Sequence, residues 1–283
     1  MKVGLAQMDI VWEDIEKNKE KAEVFFARAA QKQVDLLIFP EMSLTAFSMN
    51  VEKTASDWQD QPEFFCQMTR RYPTAAVFGY PRKCGDIYEN HLALADHGEI
   101  KLDYAKIHPF SYGTEAKYFR GGTEIKETAF MDTVVSGFVC YDLRFPEIFQ
   151  IASRRSELIC LIANWPRTRI GHWDILLQAR AIENQCYILA VNRTGEGGKL
   201  SYNGHSAIYG PTGERITPVR EDEILLTADI DPENVRKYRK EFPLKADRRE
   251  SLYLKIIKGD NHNHERDQEP VIVRKDSASH LSH

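Results

Sequence analysis

Three stretches of this chain share one design, an apolar run that stops abruptly at reactive polar residues. They are Leu36-Leu37-Ile38-Phe39-Pro40-Glu41, Leu102-Asp103-Tyr104-Ala105-Lys106 and Val139-Cys140-Tyr141-Asp142-Leu143-Arg144-Phe145-Pro146-Glu147. A thiol, a carboxylate and an ammonium in one pocket can carry out acyl transfer. Cysteine attacks as the thiolate and therefore needs a base for its proton. Glu41 within hydrogen-bond reach of Cys140 would take that proton and later pass it to departing ammonia. Lys106, as an ammonium, would lower the Cys140 pKa and stabilise negative charge on the attacked carbonyl oxygen. The backbone N–H of Tyr141 would be the second donor to that oxyanion. The lysine would also offset repulsion between carboxylate and thiolate. Taken singly, each residue has an ordinary reading: a solvated loop glutamate, a surface lysine, a small core cysteine. Their joint placement at strand ends is what points to chemistry, because ligands of parallel α/β folds bind at the carboxyl ends of the strands.

The elements that must position them follow from periodicity. Val3 to Gln7 reads as a buried strand, and Asp35 to Phe39 as a second one stopped by Pro40. Between them, residues 14–32 read as a helix with Ile15, Ala22, Phe25, Phe26, Ala29 and Ala30 on one face. Strand, helix, strand is the opening of a parallel α/β layer. A helix over Gln61 to Arg71, a strand over Ala75 to Tyr80 and a hairpin of Asp86 to Ala95 with Glu99 to Ala105 come next, turning at Asp96-His97-Gly98. Lys106 to Gly122 has no clean period and reads as a functional loop. The second half repeats the logic. Strands are expected at Val134 to Cys140, Leu158 to Ala163 and Tyr187 to Asn192, with helices over Pro146 to Arg155 and His172 to Asn184. His205 to Tyr209 and Glu223 to Asp229 are expected as strands joined through Pro211-Thr212-Gly213, followed by a polar helix from Asp231 to Lys240.

Composition bounds the rest. The 283 residues are 42% apolar, 28% charged and 11% aromatic, which fits a globular protein and excludes a disordered or collagen-like one. Thirty-eight basic and 42 acidic residues give a net charge of −4, so nothing asks for nucleic acid or an anionic membrane. No apolar run approaches the roughly 20 residues of a spanning helix. The first residues meet Asp9 and Glu13-Asp14 too early for a signal peptide, so a cytoplasmic location is expected. Five cysteines (Cys66, Cys84, Cys140, Cys160, Cys186), none in C-x-x-C spacing, argue against a disulfide framework and against a thiolate zinc site. No Pro/Gly/Ser linker divides residues 1–257, which read as one domain of two sheets with helices outside. Residues 258–283 read as a tail, mobile or lying on a partner, in which His262 and His264 are more simply solvated than metal-bound.

The three strand-end segments, in this order, resemble the signature of the nitrilase superfamily of carbon–nitrogen hydrolases. The resemblance runs from about residue 2 to about residue 255. Within it, Ala163-Asn164-Trp165-Pro166 and Gln178-Ala179-Arg180-Ala181-Ile182-Glu183-Asn184-Gln185 are similar to the ω-amidase-like branch. The resemblance implies an α/β fold, a four-layer α-β-β-α sandwich, with Glu41, Lys106 and Cys140 as a catalytic triad. It implies no metal and no organic cofactor, and a homodimer or higher homo-oligomer formed across the helices. It also implies that Glu115 positions substrate and the hydrolytic water, against the plainer reading of a loop carboxylate paired with Lys117 or Arg120.

The expected substrate is a small carboxylate-bearing amide, such as 2-oxoglutaramate. A nitrilase or N-carbamoyl amidohydrolase using the same triad, or a non-catalytic binding protein on this fold, are the alternatives. A substrate carboxylate needs a fixed cation, for which arginine suits better than lysine. Arg169 is the candidate, in a substrate-binding segment with Asn164 and Trp165, and Arg167 ranks below it. Arg144 reads as either a clamp or a structural ion-pair partner, and Asp142 as an acceptor stabilising its turn. Cys160 and Cys186 lie within apolar strands and are expected to be inert.

Overall fold

The computed structural model describes residues 1–259, so most of the expected tail, with His262 and His264, lies outside the described residues. The chain divides into two compact units, Met1–Glu241 and one beginning at Phe242. In chain order the first contains β1 (Lys2–Gln7), α1 (Ile15–Gln31), β2 (Leu36–Ile38), α2 (Val51–Thr54), α3 (Asp60–Arg71), β3 (Ala75–Cys84), β4 (Ile87–Asp96) and β5 (Glu99–Ala105). Then come β6 (Glu127–Phe130), β7 (Thr133–Val139), α4 (Pro146–Ala152), β8 (Leu158–Ala163), α5 (Ile170–Asn184), β9 (Tyr187–Asn192), β10 (Thr194–Gly197), β11 (Leu200–Asn203), β12 (Ala207–Tyr209), β13 (Ile224–Asp229) and α6 (Glu233–Glu241). In the second unit the described helix is α7 (Glu250–Ile257).

Two mixed sheets face each other. One has the order β13-β1-β2-β3-β4-β5 and the other β12-β9-β8-β7-β6, while β10 and β11 form a separate hairpin. Side chains alternate across a strand, so one sequence serves two layers. Val3, Leu5, Leu36, Ile38, Val77, Leu92 and Leu94 point inward and share one core with Val135, Phe138, Leu161 and Ile162 of the other sheet. Ala6, Leu37, Ala76, Phe78, Ala93 and Ala95 point outward and pack with Phe25 and Phe26 of α1 and Phe65 of α3. The outer face of the second sheet is covered by α5, whose Trp173, Leu177 and Ala181 are buried. Four layers follow from alternation within the strands plus one apolar stripe on each helix.

Most expected elements are present, with shifted ends. The Asp96-His97-Gly98 turn joins β4 to β5, with His97 at φ 48° and Gly98 at φ 81°, the left-handed pair that a tight hairpin turn requires. One expectation is corrected. Residues 207–209 and 224–229 do not form a hairpin, because β12 pairs with β9 while β13 crosses to the other sheet and pairs with β1. Proximity in sequence favoured the local pairing. The deciding term is the apolar edge of β1, which β13 covers along six residue pairs from Lys2–Asp229 to Gln7–Ile224.

Candidate active site

Glu41, Lys106 and Cys140 lie at the carboxyl ends of β2, β5 and β7, and each is held by its local backbone. After β2 the chain turns sharply, with Met42 at φ 47°. Phe39 and Ser43 donate their N–H groups to Val77 and Gly79 of β3, and Gly79 returns its N–H to the Ser43 hydroxyl at 2.9 Å. A Cβ at Gly79 would sit 2.6 Å from the Met42 nitrogen and 2.9 Å from the Glu41 Cα, so only glycine lets the Glu41 turn lie against β3. Lys106 continues the β4 pairing by donating its N–H to the Asn90 carbonyl at 2.8 Å.

Cys140 ends β7 with φ 47° and opens a short 3-10 turn over Cys140–Arg144. A left-handed non-glycine residue at a strand-to-helix turn is strained and needs support. Asp142 supplies it. This buried carboxylate accepts from the Val139 N–H (3.1 Å), the Tyr104 hydroxyl (2.8 Å), the His108 N–H (3.0 Å) and His108 Nδ1 (2.8 Å). The expected turn-stabilising role of Asp142 thus extends further, tying the Cys140 turn to the strand that carries Lys106.

Glu41, Lys106 and Glu115 are buried together. The Lys106 ammonium donates to Glu41 Oε1 at 3.2 Å and to both Glu115 oxygens at 3.0 and 2.9 Å. Glu115 sits in the one 3-10 turn of the 106–122 loop and accepts the Phe110 N–H, so it pairs with neither Lys117 nor Arg120. Asn90, which periodicity did not single out, bridges the two carboxylates, donating Nδ2 to Glu41 Oε1 at 2.8 Å and to Glu115 Oε1 at 3.0 Å. Asn164 at the end of β8 completes the cage. Its backbone N–H donates to Glu41 Oε2 at 2.9 Å and its Nδ2 to the Glu41 carbonyl at 2.6 Å.

The expected influence of Lys106 on Cys140 is present but outweighed. Lys106 does pull the Cys140 pKa down, yet the thiol ends well above its ordinary range, because burial and the neighbouring Glu41 charge outweigh the ammonium. Cys140 therefore rests as a thiol. Burial also works against the Lys106 charge, but Glu115 and Glu41 together reverse it and raise the lysine above its usual value. Lys106 stays an ammonium.

Cys140 opens onto a pocket with about 460 Å³ of empty space including its mouth. Its walls include Phe47, Phe110, Tyr141, Trp165, Leu200 and Tyr202, and its charged lining groups are Lys106, Arg144 and Arg169. Trp165 organises the far side. Its indole N–H donates to the Arg169 carbonyl at 2.8 Å, and the Arg144 guanidinium lies 4.8 Å from its ring centroid. Arg169 lies 5.5 Å from the Phe110 ring centroid. Neither Arg144 nor Arg169 pairs with a carboxylate among the described residues. Arg167 is different, being exposed and paired with Glu221 at 2.6 Å. Arg144 thus lines the pocket instead of forming the structural ion pair weighed for it, and Tyr202 and Phe47 had no sequence signal at all. Cys160 is fully buried with its thiol pushed up to about 12 by burial.

A family model described as carbon-nitrogen hydrolase matches residues 2–240. The chain is 32% identical over 257 residues to the 2-oxoglutaramate amidase of Bacillus subtilis (strain 168), covering 89% of this chain and 98% of that protein. It is 29% identical over 256 residues to the omega-amidase YafV of Yersinia enterocolitica, covering 90% and 99%. Among solved structures, XC1258 from Xanthomonas campestris, a CN-hydrolase superfamily protein with an arsenic adduct in its active site, has a TM-score of 0.80 at 28% identity, covering 88% of this chain and 97% of that one.

Proposed function

The chain belongs to the carbon-nitrogen hydrolase family, and on that premise we propose that it hydrolyses a small amide bearing a carboxylate at its far end, an ω-amide such as 2-oxoglutaramate. Cys140 Sγ attacks the amide carbonyl carbon while Glu41 takes the thiol proton. The resulting oxyanion is stabilised by the Lys106 ammonium and the Tyr141 N–H. Collapse breaks the C–N bond, Glu41 returns the proton to the leaving nitrogen, and ammonia departs from a thioester on Cys140. Water, positioned by Glu115 and deprotonated at Glu41, then attacks the thioester. The acid is released and the thiol restored. A resting thiol suits this sequence, since concerted transfer to Glu41 avoids placing a buried thiolate beside two carboxylates.

The observation that carries the substrate reading is the pair of pocket arginines. Arg144 and Arg169 line the cavity that holds Cys140 and have no carboxylate partner among the described residues. Both are half-buried, and a fixed guanidinium facing a largely apolar pocket is a bidentate partner for a substrate carboxylate. Asn164 and Trp165 hold the walls on which the substrate lies. The same reading includes a homodimer across α4 and α5, whose outward Ile151, Ile175 and Ile182 are exposed. Five free cysteines accord with a reducing, cytoplasmic setting.

The test is ammonia release from 2-oxoglutaramate and succinamate against neutral amides of equal length, with N-carbamoyl acids and nitriles in parallel. Preference for the charged amides is expected. Equal turnover of charged and neutral amides overturns the substrate reading, and carbon dioxide released with ammonia would indicate a carbamoyl substrate. Alkylation of Cys140 with no turnover of any amide would leave a binding protein.

A further inference from the structure

One polar group in the pocket has no part in the reaction sequence above. Tyr202 of β11 lines the cavity with Cys140 and Arg169 and is 5% exposed. Its hydroxyl makes no hydrogen bond among the described residues, and it is not among the side-chain oxygens sealed away from the cavity. Its ring is fixed from behind. Tyr202 faces Gly195 in the β10–β11 hairpin, and the Arg193 guanidinium lies 4.6 Å from the ring centroid. Arg193 is itself fully buried and anchored on the Thr194, Ile10 and Glu196 carbonyls at 3.1, 2.8 and 2.9 Å. The buried cation behind the ring favours this orientation of the tyrosine.

Tyr202 shares its pocket with both the nucleophile and Arg169. Burial is the largest influence on the hydroxyl and pushes its pKa up to about 12. Arg193 and Arg169 act in the opposite direction, while Cys140 and Glu41 add to the rise. At neutral pH it keeps its proton and can donate. Cys140 and Arg169 line the same pocket as Tyr202, so a substrate with its amide at Cys140 and its carboxylate at Arg169 runs within the cavity that the hydroxyl faces.

We propose that the Tyr202 hydroxyl is a specificity-determining hydrogen-bond donor to the substrate carbon skeleton beside the carboxylate, favouring amides with a 2-oxo group there. This rests on the carboxylate-bearing amide reading. A 2-oxo oxygen accepts the hydrogen bond. A methylene leaves the buried donor unpaired, which is how a polar pocket discriminates against an analogue lacking the partner. A 2-ammonium group fares worst, because among the described residues Lys106, Arg144 and Arg169 are the charged lining groups and no Asp or Glu lines the pocket.

The test compares kcat/KM of wild type and Tyr202→Phe on 2-oxoglutaramate, glutaramate and L-glutamine. Phenylalanine keeps the ring on Arg193, and thermal melting checks that the fold is retained. Wild type should prefer the three in that order. In the variant the ratio of 2-oxoglutaramate to glutaramate kcat/KM should fall about two- to tenfold, the range of one neutral hydrogen bond. An unchanged ratio overturns the assignment, whether both rates fall together or neither falls. If wild type hydrolyses neutral amides but none of these three, the carboxylate reading itself fails, and the Tyr202 role with it.

Discussion

Replacing Glu41 with glutamine should move turnover and thiol reactivity in opposite directions. Glu41 Oε1 accepts from Asn90 at 2.8 Å and Lys106 at 3.2 Å, and Oε2 accepts from the Asn164 N–H at 2.9 Å. Glutamine has one acceptor oxygen, so its NH2 must face donors in either orientation. A buried donor left unpaired costs about 1–3 kcal/mol of stability. Loss of the base should lower kcat by about 10²–10⁴-fold, the range for general acid–base catalysis. KM should change little, because Glu41 is not among the groups lining the pocket. The thiol responds the other way. Burial and then the Glu41 charge raise the Cys140 pKa, and Lys106 lowers it. Neutralising residue 41 removes the second-largest raising influence while the ammonium remains. The Cys140 pKa should therefore fall, and each unit gives about tenfold more thiolate at neutral pH. The assay pairs ammonia release with iodoacetamide labelling of Cys140 followed by peptide mass spectrometry across neutral to alkaline pH. The labelling midpoint should move to lower pH as turnover collapses. Turnover within about tenfold of wild type would show that Glu41 is not the base. A midpoint that rises would refute the electrostatic account of Cys140.

Cys140→Ala should abolish ammonia release, and trapped wild type should carry the acyl mass on the Cys140 peptide; an active alanine variant refutes the covalent route. Lys106→Met leaves Glu41 and Glu115 buried with no countercharge, at a cost of about 3–5 kcal/mol. In that variant the unpaired carboxylates bind protons more readily folded than unfolded, so its melting temperature should recover as pH falls; a deficit independent of pH refutes the cause. Arg144→Met and Arg169→Met should each raise KM for succinamate about ten- to hundredfold, as expected for a charged hydrogen bond. Both should spare a neutral amide of equal length, and equal losses on the two substrates would make either arginine structural.

The sequence by itself determined the layers and marked the candidate reactive residues. Period-two runs such as Leu36-Leu37-Ile38 and Leu92-Ala93-Leu94-Ala95 name both faces of their strands, since backbone geometry alone sends alternate side chains to opposite sides. The abrupt ends of those runs at Glu41, Lys106 and Cys140 marked where a ligand could bind. What the sequence could not carry was which distant groups meet there. Asn90 looked like one polar residue in a strand, and only the β4–β5 pairing and the folded 106–122 loop set it between Glu41 and Glu115. Tyr202 comes from a glycine-flanked hairpin with no periodic signature, and only the folded chain sets it in the pocket wall against Arg193. The sheet partner of β13 was likewise settled by the open edge of β1, more than two hundred residues away. The direction of the Cys140 shift was hidden for the same reason. Residue types named a lysine as the thiol's activator, but burial and the position of Glu41 decide the sign, and both are properties of packing in three dimensions.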